Sequence, residues 1–383
     1  MKPISLYAKE LLQSKLNWLP LVMPILVMIF LLMMHTHSDK QIGYIASLQR
    51  NNELMQELSV DYDSNLSEDL ESQDRENLLK AQDALVNNKT KNQNSIDQAK
   101  RGNWSKSLDI QIQLMEANEL ANIQSQNYSF GEDFKRQVYG KYQRYKILHG
   151  LNLPPEFEGG ELRGFTFLYR MLDTVFPILF ILCLITLLSD VFTRTYQDGM
   201  DLEDLFPVNR MTWQLDKVAK LLLISLCIYG LTFGVTFTLA GLLNGFSSSL
   251  YPISLYTEHY TDTIRVGRLI GQTLVLHILT ILMTLVWVDL MALMTKDKLT
   301  TLFVSAVTLL GGILLTGNIA PLAKILHLFP TTYFFATRVI TQQLAYENVN
   351  PEINYINGLL VLVGTNLLLI VCVLWKKSWS KSI

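Results

Sequence analysis

Few ionisable residues lie inside the long apolar stretches of this sequence, and holding a charge there would cost most. Asp289, in LVWVDLMALMT, precedes Lys296 by seven residues. On a helix rising 1.5 Å per residue it sits about 10 Å in from that end, where an unpaired carboxylate is expensive. Lys220, opening the run VAKLLLISLCIYG, is the cation at a matching depth, so Lys220 and Asp289 are expected as an intramembrane pair. A structural pair and an ion pathway are the two roles open to it. His277 has no acid near it in its own run and reads as a hydrogen-bonded core imidazole rather than a proton relay. Cys183, Cys227 and Cys372 fall one to a run, without CxxC or Cys/His spacing, and read as small core residues. There is no P-loop, since the nearest run, GILLTGN, has Asn where Lys must reach phosphates. Nor is there an HExxH or a Ser or Cys nucleophile element. The sequence therefore offers no catalytic, cofactor-binding or metal residue, and a chain of this kind is a transport subunit rather than an enzyme.

The elements that carry these residues follow from composition. Hydrophobic residues make up 49% of the 383 and charged ones 17%, too few charges for a soluble surface of that size. The average hides two populations. Residues 38–160 hold 19 Asp/Glu and 14 Lys/Arg, while 221–264 hold no Lys or Arg at all. Six stretches reach the roughly 20 apolar residues needed to cross a bilayer: Trp18 to Met34, Thr166 to Leu188, Val218 to Leu243, Leu269 to Met294, Thr300 to Ile319 and Ile356 to Trp375. Short-loop cations set the direction. Lys2, Lys9 and Lys15, then Lys296 and Lys298, then Lys376, Lys377 and Lys381 fall on one side of six spans, so both termini are expected to be cytosolic. Residues 1–17 read as a cytosolic amphipathic interfacial helix and 18–36 as the first transmembrane helix, retained because MMHTHSDK offers no cleavage site. The fold class is an all-α membrane protein with six transmembrane helices and a mainly helical extracellular domain inserted between helices 1 and 2.

That domain, residues 37–164, shows helix spacing at Leu78, Ala81, Leu85 and Val86, while SLDIQIQL fits both a strand and a helix face. Nine acids against one base lie between Glu53 and Glu76, and five bases with no acid between Lys135 and Lys146. Two readings stand: an acidic helix pairing with a basic one, or a basic helix contacting anionic headgroups or an anionic polymer. Nucleic acid has no composition in its favour. Gly230-x-x-x-Gly234, Gly241-x-x-x-Gly245 and Gly267-x-x-x-Gly271 allow close helix approach, and Pro177 should kink the second span.

Within the longest predicted cytosolic loop, residues 189–217, FTRTYQDGM and LFPVNR are followed by Lys220 at the mouth of the next span. This resembles the signature of type-2 ABC exporter permeases: a Phe-x-Arg-acid run ending in Gly, a Leu-x-Pro-Val-x-Arg element, and a basic residue opening span three. Residues 1–36 and 165–383 carry the likeness; the outer domain does not. The sequence departs from the pattern at Thr195 and Met200. The resemblance implies a coupling element that docks on an ATPase subunit through Arg194, Asp198, Gly199, Leu205, Pro207 and Arg210. The segment 320–355, broken at Pro330, reads as outer re-entrant helices, with Phe329, Tyr333, Phe334 and Phe335 as an outer gate or interface. The partners so implied are two ATPase copies, which would bind the ATP and magnesium that this chain does not, a second permease copy or a related permease, and membrane lipid. The setting is a bacterial plasma membrane. The function expected is export of an amphipathic peptide or lipid-like substrate, possible roles being toxin-peptide export and immunity. Sodium or other cation extrusion, and a signal-transmitting membrane sensor, are the alternatives.

Overall fold

The structure is a computed structural model and describes residue 9 and residues 17–66, 72–125, 130–197, 200–201, 209–315 and 320–379. In chain order the helices are α1 (Trp18–Ile42), α2 (Tyr44–Leu66), α3 (Ser72–Lys100), α4 (Trp104–Met115), α5 (Glu132–Leu151), α6 (Gly164–Thr174), α7 (Ile181–Thr193), α8 (Arg210–Asn244), α9 (Val266–Thr295), α10 (Lys298–Leu315), α11 (Ala336–Ile340), α12 (Gln343–Glu347) and α13 (Tyr355–Trp379). Two antiparallel strand pairs accompany them, β1 (Tyr196–Gln197) with β2 (Met200–Asp201) and β3 (Pro252–Ser254) with β4 (Thr263–Arg265). The interfacial helix expected over 1–17 lies outside the described residues, apart from Lys9 and Asn17.

Among the described residues, five helical stretches are long and apolar enough to cross a membrane: Trp18–Asp61, Phe176–Thr193, Met211–Asn244, Val266–Thr295 and Tyr355–Lys377. This fits a membrane-spanning, all-α protein. The stretch expected as the fifth span forms α10, whose apolar part, Lys298–Gly312, is shorter, and residues 316–319 lie outside the described residues.

The chain divides into two compact units. The first comprises Met1–Leu31, Arg163–Phe246 and Val266–Ile383. Its core mixes apolar side chains with buried polar ones, and its surface carries many exposed apolar ones. Thr273, His277, Thr280 and Thr284 of α9 are fully buried, while Leu242 and Leu243 of α8 and Leu360 and Val371 of α13 are exposed. In hydrocarbon an exposed leucine costs nothing and a polar side chain must find a partner inside, so this arrangement suits lipid. Pro177 interrupts the regular helix. Between α6 and α7 the chain widens into a π-type turn, Phe176–Phe180, where the Phe180 N–H donates to Val175 O at 3.0 Å. Proline has no N–H to give the ladder, and one inserted residue absorbs the defect.

The segment 320–355 is built of two 3₁₀ stretches, Ala320–Leu328 and Pro330–Phe334, followed by α11 and α12. Pro330–Phe334 packs against α10 and α13, where glycine makes room. A Cβ on Gly358 would stand 2.6 Å from Tyr333 Cδ1, and one on Gly312 2.9 Å from Thr331 Cγ2. Of the GxxxG glycines, Gly230, Gly234, Gly245 and Gly271 have open space at the Cβ position, whereas a Cβ on Gly241 would run into the Phe246 ring.

The second unit comprises Leu32–Leu162 and Ser247–Arg265. In it α2 packs on α3, α3 on α4, and α4 on α5. SLDIQIQL lies in α4, because Leu108, Ile112, Leu114 and Met115 bury one helical face. A ladder of amides joins the first three helices. Asn92 Nδ2 donates to Asn52 Oδ1 and to Leu48 O, both at 2.8 Å, and Gln111 Nε2 donates to Asn92 Oδ1 at 2.8 Å. Among the described residues, the acidic and basic segments make their main packing contacts with other elements. The acid-rich α2 lies on α3, whereas the basic α5 lies on α4 and β3, with Arg144 paired to Glu158 at 3.2 Å.

Candidate functional site: two polar ties at the roots of one loop

The loop between α7 and α8 contains the residues that sequence reasoning marked for docking. Of these, Asp198, Gly199, Leu205 and Pro207 lie outside the described residues, and Arg210 is seen by its backbone as the first residue of α8. Arg194 follows the last residue of α7 and is ion-paired with Asp190 one turn earlier. After it, Tyr196 and Gln197 pair with Asp201 and Met200 as a short hairpin.

Each root of the loop is held by one buried polar group. At the first, the Asp190 carboxylate is 8% exposed and collects three donors. Lys298 Nζ, opening α10, lies 2.6 Å from Oδ1; Asn17 Nδ2, just before α1, donates to Oδ2 at 3.0 Å; Arg194 also reaches Oδ2. A buried carboxylate keeps its charge only where donors replace the lost water, and here they come from three parts of the chain.

At the second root, Gln214 is 1% exposed. Its amide nitrogen donates to Asp289 Oδ2 in α9, and its amide oxygen accepts from Lys377 Nζ in α13 at 2.5 Å. A neutral amide thus bridges a carboxylate and an ammonium, using both ends of its dipole. Lys220, expected as the partner of Asp289, contacts Asp216 one turn before it at 2.5 Å. Lys217 is 2% exposed, with its ammonium 5.1 Å from the centre of the Phe192 ring.

Sequence reasoning did not single out Gln214 or Lys377, because α8 begins eight residues before the apolar run. One signal was present. Asn209 is an N-cap residue, and its side chain accepts the Met211 N–H at 3.0 Å.

Two further polar groups lie in the first unit. His277 is stacked on Phe176 with ring centres 3.4 Å apart, and its Nδ1 lies 3.0 Å from the Tyr229 hydroxyl, as a hydrogen-bonded core imidazole should. Asp173 is 5% exposed; it accepts from Thr337 at 2.5 Å and from Arg338 at 3.2 Å. This clamps α6 to α11. Of the four aromatics proposed as an outer gate, Tyr333 and Phe334 are fully buried, Phe329 is exposed, and Phe335 lies under the Arg338 guanidinium at 5.1 Å. Compared with family models, with curated proteins and with solved structures, this chain matches none.

Proposed function

We propose that this chain is the permease subunit of an ATP-driven ABC exporter that moves an amphipathic peptide or lipid-like substrate across a bacterial plasma membrane. Two permease copies, or this chain with a related one, pair with two ATPase subunits, which supply ATP and magnesium. Six spans, with the loop and both termini in the cytosol, belong to the same proposal.

The observation that supports it most is the pair of ties. Asp190 binds the end of α7 to residue 17 before α1 and to the start of α10. Gln214 binds α8 to α9 and α13. A motor gripping the loop between them would pull on both groups through its two ends. A ligand on the motor favours one access state only through contacts that differ between states, and a loop rooted in this way transmits such contacts.

The test is affinity purification in mild detergent. A nucleotide-hydrolysing chain should co-purify, and Arg194→Glu or Pro207→Gly should release it. Recovery of the intact chain with no such companion contradicts the proposal.

A further inference from the structure

The second unit holds a cavity of about 550 Å³. That is inside the range of roughly 300–1,000 Å³ in which small ligands and short segments are bound. One wall is a face of α5, and the others are Ile42, Tyr44 and Ser47, the turn at residues 155–158, and the β3–β4 hairpin.

The cations of this wall are not equivalent. Arg144 is paired with Glu158. Arg136 donates to Thr257 O at 2.8 Å and lies over the Tyr256 and Tyr260 rings, at 5.6 and 5.2 Å. Lys141 has its ammonium 5.6 Å from the centre of the Tyr145 ring and makes no ion pair among the described residues. Beside it on the same wall, the Tyr145 hydroxyl and the Gln137 amide make no hydrogen bond among the described residues. The Tyr251 hydroxyl accepts the Glu156 N–H at 2.9 Å and keeps its own proton to give. Burial pushes the hydroxyls of Tyr145 and Tyr251 well above the ordinary tyrosine range, so both are protonated donors at neutral pH.

Besides the carboxylates of Asp133, Glu156 and Glu158, which accept, the cavity wall carries groups able to donate: an ammonium, two hydroxyls and an amide. Their complement is an oxyanion. Around them Leu148, Phe157 and the tyrosine rings supply apolar contact, and tyrosine suits a ligand that is apolar and polar by turns. Two features favour a peptide over a lipid tail. Each strand of the β3–β4 sheet has one edge that pairs with no other strand among the described residues, and Ser254, at the end of β3, is on the cavity wall. The acids Glu156 and Glu158 on the facing turn match amide or ammonium donors, which an acyl chain lacks.

We infer that this cavity binds a peptide segment, holding a carboxylate of the peptide at Lys141, Tyr145 and Tyr251 and its apolar side chains against the surrounding rings. This names the cargo class of the export proposed above and rests on that proposal for the word cargo alone.

The experiment uses the full chain in phosphatidylcholine nanodiscs and saturation-transfer NMR. The probes are N-acetylated trileucine with a free carboxylate, its C-terminal amide, inorganic phosphate and dioctanoyl phosphatidic acid. The free acid should bind about tenfold tighter than the amide, the size expected for one charged hydrogen-bonded contact. Lys141→Met and Lys141→Gln should each bring that ratio to about one with the weak binding of the amide unchanged, and Tyr145→Phe should lower it about threefold. Equal binding of acid and amide, no peptide binding, or binding of only phosphate or only the lipid would each overturn the inference. ATPase co-purification does not depend on Lys141. Failure here thus leaves the export proposal standing, and loss of the ATPase leaves this result intact.

Discussion

Replacing Asp190 by alanine strands three donors at once, and their surroundings set the cost. Asn17 is 2% exposed and cannot turn to solvent, so its loss alone costs about 1–3 kcal/mol. Arg194 and Lys298 are 36% and 35% exposed, so much of their pairing is screened and each contributes about 1 kcal/mol or less. Asp190→Ala should therefore destabilise the first unit by about 2–4 kcal/mol, and Lys298→Met, which leaves Asp190 two donors, by about 1 kcal/mol. Because the two residues touch, the double variant should fall short of the sum by about 1 kcal/mol. Cys183, buried in α7, gives the readout. With Cys227→Ser and Cys372→Ser in the background, a thiol-reactive dye reports the temperature at which α7 opens. At roughly 2–4 °C per kcal/mol for a body of this size, Asp190→Ala should lower the midpoint by roughly 4–16 °C. An unchanged midpoint, or strict additivity with Lys298→Met, would refute the idea that Asp190 is the tie.

Gln214→Leu fills the same space but separates Lys377 from Asp289 and leaves both charges short of a partner; a loss of about 2–4 kcal/mol in the same thiol assay is expected. Gly358→Ala should cost about 1–3 kcal/mol, since the new methyl meets the Tyr333 ring. Tyr333→Leu in addition should recover part of that, whereas independent costs would show that the ring is not what the glycine accommodates. Tyr229→Phe removes the hydroxyl from His277 Nδ1 at unchanged volume and should cost about 1–3 kcal/mol, again measured at Cys183.

Hydropathy made the apolar helices legible, because a long run without charge has few other uses. The boundaries were less so. α8 reaches back to Arg210 through a polar, amphipathic start that a hydropathy window discards, and with it went Gln214. Depth along a span picks Lys220 for Asp289, but the Gln214 amide that donates to it lies on a part of α8 that hydropathy assigns to the loop. In the polar block, helix spacing was visible while the packing order was not. Charge segregation between α2 and α5 suggests a direct pairing, yet the amide ladder of Asn52, Asn92 and Gln111 binds α2 to α3 and α4, and α2 meets α5 through the Tyr44 and Tyr145 rings. Neither the hairpin at 196–201 nor the cavity beside α5 has a periodic signature, since both depend on residues far apart in sequence.

The whole account depends on which side of the membrane offers the α7–α8 loop and what holds it there. A photo-crosslinking amino acid in place of Asp201, in the full chain in its native membrane, measures both. On ultraviolet exposure it should give one covalent adduct with a nucleotide-hydrolysing chain, and membrane-impermeant reagents should reach that position only after the cell is opened. Labelling from outside intact cells, or illumination that joins the loop to no such chain, would contradict it.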